Sequence, residues 1–279
     1  MRLSLVFQII RFCTFLVALI TFALCSLLGI LLFPQNVIKR NRYLGYVMKL
    51  HSRFLLWVFN HHVFIKQTDP KISIDGNQNY LIVSNHLSYL DMLLISSFVP
   101  TSFVTSVEIK ETPGLGQISK MAGCFYVERR NRSQLGFEIM ELTEALNQNC
   151  NITIFPEATS TNGESVLRFK RPLFKAAILA KRSILPITIN YLSINNNPIT
   201  PLNRDQVCWY GEMTFFSHFW SLLKIRKLEI ELVIQTPMSI EDYNEENFDQ
   251  CSTDSHQKVS SFFRPIAISS INYNGEVLP

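Results

Sequence analysis

His86 lies five residues before Asp91 in the segment Val83-Ser84-Asn85-His86-Leu87-Ser88-Tyr89-Leu90-Asp91, and the two side chains are a base and a group able to orient it. Imidazole titrates near neutrality, so His86 can take a proton from a hydroxyl at cellular pH. A carboxylate on the second ring nitrogen fixes the tautomer and stabilises the imidazolium, as in serine hydrolases. No Gly-x-Ser-x-Gly elbow accompanies the pair, which points to activation of a substrate hydroxyl rather than a protein serine. A second reading stays open: Ser88-Tyr89-Leu90-Asp91 fits a capping box, in which Asp91 finishes a helix N-terminus.

Three further segments carry candidate groups. Gly123-Cys124-Phe125-Tyr126-Val127-Glu128-Arg129 ends in a guanidinium, a planar fork suited to phosphate, although a solvated basic loop has the same composition. Ile154-Phe155-Pro156-Glu157-Ala158-Thr159-Ser160 runs from an apolar stretch into a tight turn. Glu157 there can hold a sugar or glycerol hydroxyl, anchor an arginine, or merely cap a helix. Arg168-Phe169-Lys170-Arg171-Pro172 precedes the apolar run Leu173–Ala180, and cations beside a helix start favour an anion. Gly114-Leu115-Gly116 is no dinucleotide fingerprint, because Ser119 occupies the third glycine position.

The elements that must position these groups alternate. Strands are predicted at Tyr80–Ser84, Phe103–Ser106, Cys124–Val127, Ile152–Phe155 and Ile184–Ile189. Leu135, Ile139, Leu142 and Leu146, spaced four, three and four apart, mark a helix between two of them. Alternation of this kind predicts an α/β fold, with a mostly mixed central sheet flanked by helices. His86–Asp91, Glu157 and Arg129 all fall just after a strand, where such folds place their chemistry. Leu228-Glu-Ile-Glu-Leu232 alternates strictly and reads as a strand near a sheet edge with one wet face. Val259, Phe262 and Phe263 suit a closing helix.

The 279 residues are 47% hydrophobic and 17% charged with a net charge of +4, which excludes disorder and suits one domain plus an appendage. The appendage is Phe12 to Phe33, 22 residues without a charge. That length crosses a hydrocarbon core of about 30 Å. It exceeds a signal-peptide core and no small-x-small site precedes Pro34, so a retained N-terminal membrane helix is expected. Residues 1–36 form this anchor, 37–78 a basic and apolar helical segment at the interface, and 79–279 the main domain. Lys39, Arg40, Arg42, Lys49 and Arg53 follow the anchor against Arg2 and Arg11 before it, which places the domain on the cytoplasmic side of the bilayer. Phe54–Phe59 is too short to span and suits either an interfacial face or core. The six cysteines are scattered without CxxC spacing, so neither a disulfide framework nor a metal site is expected. His61-His62 reads as surface or interface, and nothing suggests nucleic acid as a partner.

In this order the residues resemble the glycerolipid acyltransferases, a family typified by bacterial lysophosphatidic acid acyltransferase. The family carries an Asn-His-x4-Asp block (the HX4D motif), a glycine-phenylalanine-arginine block, Phe-Pro-Glu-Gly-Thr and a proline-containing apolar strand. Here these are Asn85-His86…Asp91, Gly123…Phe125…Arg129, Phe155-Pro156-Glu157-Ala158-Thr159 and Ile184-Leu185-Pro186-Ile187. The resemblance spans residues 50 to 240, and Trp209-Tyr210-Gly211-Glu212-Met213-Thr214-Phe215 also looks like bacterial members. It implies that His86 is the general base and Asp91 its orienting partner, that Arg129 grips an acceptor phosphate, and that Glu157, Ala158 and Thr159 shape the acceptor pocket. Lys110 and Lys170 become contacts for phosphate or donor. The implied reaction moves an acyl group from acyl-CoA or acyl-carrier protein to lysophosphatidic acid at a bacterial inner membrane, without cofactor. The family's Gly-Thr-Arg is Ala158-Thr159-Ser160 here, which removes one phosphate ligand and forces alanine into a turn suited to glycine. Acylation of another lysolipid, such as a lyso-ornithine lipid or lysophosphatidylcholine, therefore stays open. A thioester or phospholipid hydrolase and a non-catalytic membrane scaffold are the readings from other classes.

Overall fold

The computed structural model describes residues 2–70, 72, 78–128, 132–241, 243–244 and 247–267. It opens with an antiparallel helical pair, α1 (Arg2–Leu32) and α2 (Val37–Val58). Pro34 cannot continue α1, and the Asn36 side chain caps α2 by accepting the Lys39 N–H at 2.8 Å. Gly29 lets the two helices approach, since a Cβ there would lie 2.4 Å from the Tyr43 ring.

The chain then runs β1 (His61–Gln67), β2 (Leu81–Ser84), α3 (Leu90–Phe98), β3 (Ser102–Ser106), α4 (Val107–Glu111), α5 (Leu115–Met121), β4 (Phe125–Val127), α6 (Arg132–Asn147) and β5 (Ile152–Ile154). It closes with α7 (Phe174–Ala180), β6 (Ile184–Ile194), β7 (Asn197–Pro198), α8 (Phe215–Leu222), β8 (Leu228–Ile234) and α9 (Phe248–Ser261). Seven strands line up as β1-β8-β6-β2-β5-β3-β4, and β7 pairs with β6. The sheet is mixed: the run from β6 to β4 is parallel, β8 is antiparallel to β6, and β1 is parallel to β8.

β8 lies near the edge of the sheet, as its alternation predicts, one strand in and beside β1. Two other readings change. Residues 61–67 join the sheet as a strand, so the segment after α2 is not helical throughout. His61 is buried rather than at the surface, and burial, aided by the Arg11 charge, pushes its imidazole down to about 3.

Crossover direction explains the layers. β2–α3–β3 steps one way along the sheet, whereas β4–α6–β5 and β5–α7–β6 step back. Right-handed crossovers in opposite directions put their helices on opposite faces. Leu90, Leu94 and Ile95 of α3 accordingly share one core with α1 and α2, while Ile139, Leu142 and Leu146 of α6 share the other with α7 and Val259 of α9. Phe54–Phe59 divides: Leu55, Leu56 and Phe59 are core, and Phe54 and Trp57 are exposed.

Candidate active site

Because β2, β5, β3 and β4 are parallel, their carboxyl ends share one margin of the sheet. The segments leaving that margin begin with His86 after β2, Glu157 after β5, and Lys110 in α4 after β3. Arg129, after β4, lies outside the described residues.

Asn85 first clips the end of β2 to β6. Its amide donates to the Ile189 carbonyl at 3.0 Å and its carbonyl accepts the Ile189 N–H at 2.8 Å. His86 follows, stacked on the Phe155 ring at 4.1 Å between centroids. Its Nδ1 lies 2.8 Å from Asp91 Oδ2, with 19% of the imidazole side chain exposed and none of the aspartate. A carboxylate opposite Nδ1 places the proton there and leaves Nε2 as the acceptor. Asp91 Oδ2 also accepts the N–H groups of Leu87 (2.7 Å) and Ser88 (2.9 Å), so the capping role and the His-orienting role fall to one carboxylate. A helix entry that satisfies these amides also brings the five-residue spacing to contact.

Glu157 is buried beneath the loop. Its Oε1 accepts the His86 N–H at 2.7 Å and its Oε2 the Leu167 N–H at 2.8 Å. Burial raises its carboxyl to about 7; the two amide donors pull the other way and Asp91 adds a smaller push upward. Glu157 therefore acts on the site through the backbone of His86. Ala158 completes the turn at φ +63°, the left-handed region. Thr161 N–H donates to the His86 carbonyl at 3.0 Å, and Trp209 N–H to the Leu87 carbonyl at 2.8 Å, so two distant loops hold the His86 loop from either side.

The remaining candidates sit further out. Thr159 is exposed, its hydroxyl on the Ser160 carbonyl at 3.3 Å. The Lys170 N–H donates to the Pro156 carbonyl at 2.7 Å, which fastens the basic stretch to the Glu157 turn while its side chain is exposed. The Lys110 ammonium lies over the Tyr126 ring, 5.1 Å from its centre. Two contributors escaped the pattern reading. The Phe155 ring stacks on the His86 imidazole, and the Tyr191 hydroxyl donates to Asp91 Oδ1 at 2.8 Å.

A family model described as "Acyltransferase" matches residues 57–190, which contain His86, Asp91 and Glu157. Over that segment, just under half of its length, the chain is similar to the glycerolipid acyltransferase family. Among the family's curated members, a 1-acyl-sn-glycerol-3-phosphate acyltransferase from Neisseria gonorrhoeae is 29% identical over 152 residues, 54% of this chain and 57% of that protein. A lyso-ornithine lipid O-acyltransferase from Rhizobium meliloti (strain 1021) is 26% identical over 166 residues, 57% of each. The chain thus spans under two thirds of the length of these curated relatives. The crystal structure of the 1-acyl-sn-glycerophosphate (LPA) acyltransferase PlsC from Thermotoga maritima superposes with a TM-score of 0.62 at 17% identity, covering 92% of this chain and 93% of that one. At that identity the likeness shows a shared fold and nothing more.

Proposed function

We propose that the chain is a membrane-associated O-acyltransferase that moves an acyl group from a thioester to the free hydroxyl of a lysolipid, lysophosphatidic acid first among them. The observation that carries the proposal is the His86 Nδ1–Asp91 Oδ2 contact of 2.8 Å, which leaves Nε2 on the partly exposed edge. Nε2 takes the proton of the acceptor hydroxyl as its oxygen attacks the thioester carbonyl. Asp91 stabilises the imidazolium that forms, and the same proton then passes to the departing thiolate of acyl-CoA or acyl-carrier protein. Arg129 and the outer part of the turn, Ala158 and Thr159, are assigned to the phosphate end of the acceptor, with Lys110 and Lys170 toward phosphate or donor, while Glu157 supports that pocket from beneath by holding the His86 backbone.

Location at a bilayer is supported by α1, whose Leu5–Leu32 is long and apolar enough to cross a membrane. Exposed Tyr46, Leu50, Phe54 and Trp57 on α2 add a second apolar stripe. The basic residues after α1 support a cytoplasmic site, although Arg42 and Arg53 turn to the Gln148 and Ser97 carbonyls of the domain. A lyso-ornithine lipid is the second acceptor reading, supported by Ser160 in place of the family's arginine and by the Rhizobium meliloti relative.

The test is acyl transfer from labelled acyl-CoA and acyl-carrier protein to a lysolipid panel, with wild type and His86→Ala. Product with lysophosphatidic acid, lost by at least about 1,000-fold in the variant, is the expected result. Product only with a phosphate-free acceptor moves the acceptor to the second reading. Free fatty acid without transfer makes the protein a hydrolase, and undiminished transfer by His86→Ala removes the base.

A further inference from the structure

The Asp91 carboxylate is fully buried and receives four donors. Three of them, His86 Nδ1 and the Leu87 and Ser88 amides, converge on Oδ2 and come from its own loop. The fourth, the Tyr191 hydroxyl, reaches Oδ1 at 2.8 Å from a strand one hundred residues away. We infer that Tyr191 is a positioning residue of the reaction: its hydroxyl holds Asp91 Oδ1, so that Oδ2 is kept facing His86 Nδ1. The inference rests on the proposed role of His86 as the base.

The fold delivers that hydroxyl by three linked features. β6 pairs with β2 only through Ser84↔Ile187, then continues past the end of β2 to Ile194. Asn85 fixes the overhang by its two hydrogen bonds to Ile189. Strand alternation puts Ile187, Ile189 and Tyr191 on one face, the face covered by α3, whose first turn carries Asp91. Immediately afterwards the pairing of β6 with β8 shifts register between Tyr191 and Ser193, a bulge beside the tyrosine, and resumes at Ser193 and Glu229.

The environment suits this role. Tyr191 is 5% exposed. Burial first, and the Asp91 carboxylate second, push its hydroxyl well above the ordinary phenol range, so it remains a donor at every working pH. A carboxylate with its second oxygen unheld could rotate about χ2 and still satisfy the two amides. The hydroxyl removes that freedom. It also withdraws charge from Asp91, which tempers the basicity passed on to His86.

The experiment compares wild type with Tyr191→Phe, which deletes one oxygen, using steady-state acyl transfer and NMR of 15N-histidine-labelled protein. The His86 signal is assigned by its absence from His86→Ala. The variant is expected to lose on the order of 10- to 100-fold in kcat with KM for donor and acceptor within about twofold, since one hydrogen bond to a buried charge is removed and no substrate contact is touched. The acid limb of its rate–pH profile and the His86 NMR titration should both move to higher pH. Unchanged kcat with an unchanged His86 titration overturns the assignment, even if the melting temperature falls. Site-specific 3-fluorotyrosine at 191 keeps size and sharpens the donor; its His86 titration should move to lower pH, and no movement likewise overturns the assignment. The NMR arm needs no turnover, so an inactive wild type refutes the proposed function while the His86 titration still decides the role of Tyr191.

Discussion

Glu157 holds the His86 loop from beneath. A carboxylate on a turn after a strand suggests a hand held out to substrate. In the fold both oxygens accept backbone N–H groups, from His86 and Leu167, and the side chain is 3% exposed. Its carboxyl is raised by burial from 4.5 to about 7. The folded state thus binds this proton more tightly than the unfolded chain. The resulting stability is complete below pH 4.5 and is lost as pH rises through about 7, by on the order of 3 kcal/mol. His61, depressed to about 3, acts in the opposite sense and loses stability as pH falls below 6.5. The contribution of Glu157 is therefore isolated as a difference: urea unfolding of wild type minus Glu157→Gln should decline between pH 4.5 and 7 and then level off. A difference independent of pH contradicts the buried, proton-holding carboxyl.

At the scale of the element, the turn after β5 carries a strain that the sequence foretold. Ala158 stands where the acyltransferases that the chain resembles carry glycine, and its φ is +63°. A Cβ in the left-handed region costs roughly 1–2 kcal/mol, while glycine costs about 0.4–1 kcal/mol through the freer unfolded chain. Ala158→Gly is expected to stabilise by about 0.5–1 kcal/mol, read as a higher urea midpoint at constant slope. A lower midpoint would mean that the methyl packs well enough to outweigh the strain. The Ala158 N–H closes the turn on the Phe155 carbonyl at 3.0 Å, a bond that either residue makes. Helix α1 shows another local compromise. Gln8 and Arg11, polar residues in an apolar helix, are buried and donate to the carbonyls of Trp220 and of Phe59 and Ile225. Those carbonyls end α8, α2 and the turn before β8, so the first turns of α1 are fastened to the domain rather than isolated from it.

For the whole molecule, the arrangement places the α1–α2 pair on the sheet face that also holds α3 and the His86 loop. Exposed Leu50 and Trp57, 66% and 77% accessible, lie on the outside of that layer. If the layer seats in a bilayer, each such side chain contributes roughly 1.5–3 kcal/mol on burial. Leu50→Glu with Trp57→Glu should weaken binding to phosphatidylglycerol–phosphatidylethanolamine vesicles by more than about tenfold, measured by flotation. Circular dichroism of the variant should match wild type, since neither side chain is buried within the protein. Undiminished flotation would place this surface away from the lipid.

Legible in the order of residues were the alternation of strands and helices, the strand-end position of His86, Asp91 and Glu157, the apolar first helix and the strained alanine. Each of these is local: periodicity, turn chemistry and spacing act over a few residues, so they are written along the chain. Other features exist only once the sheet has assembled. The strand His61–Gln67 becomes one only by pairing with β8, more than 160 residues on. The pattern ends β6 near Ile189, yet the strand continues to Ile194 because β8 pairs with the overhang. That continuation brings Tyr191 to Asp91, and the Phe155 ring reaches His86 only because β5 lies beside β2. Contacts between residues remote in the chain depend on strand order, which no local pattern encodes.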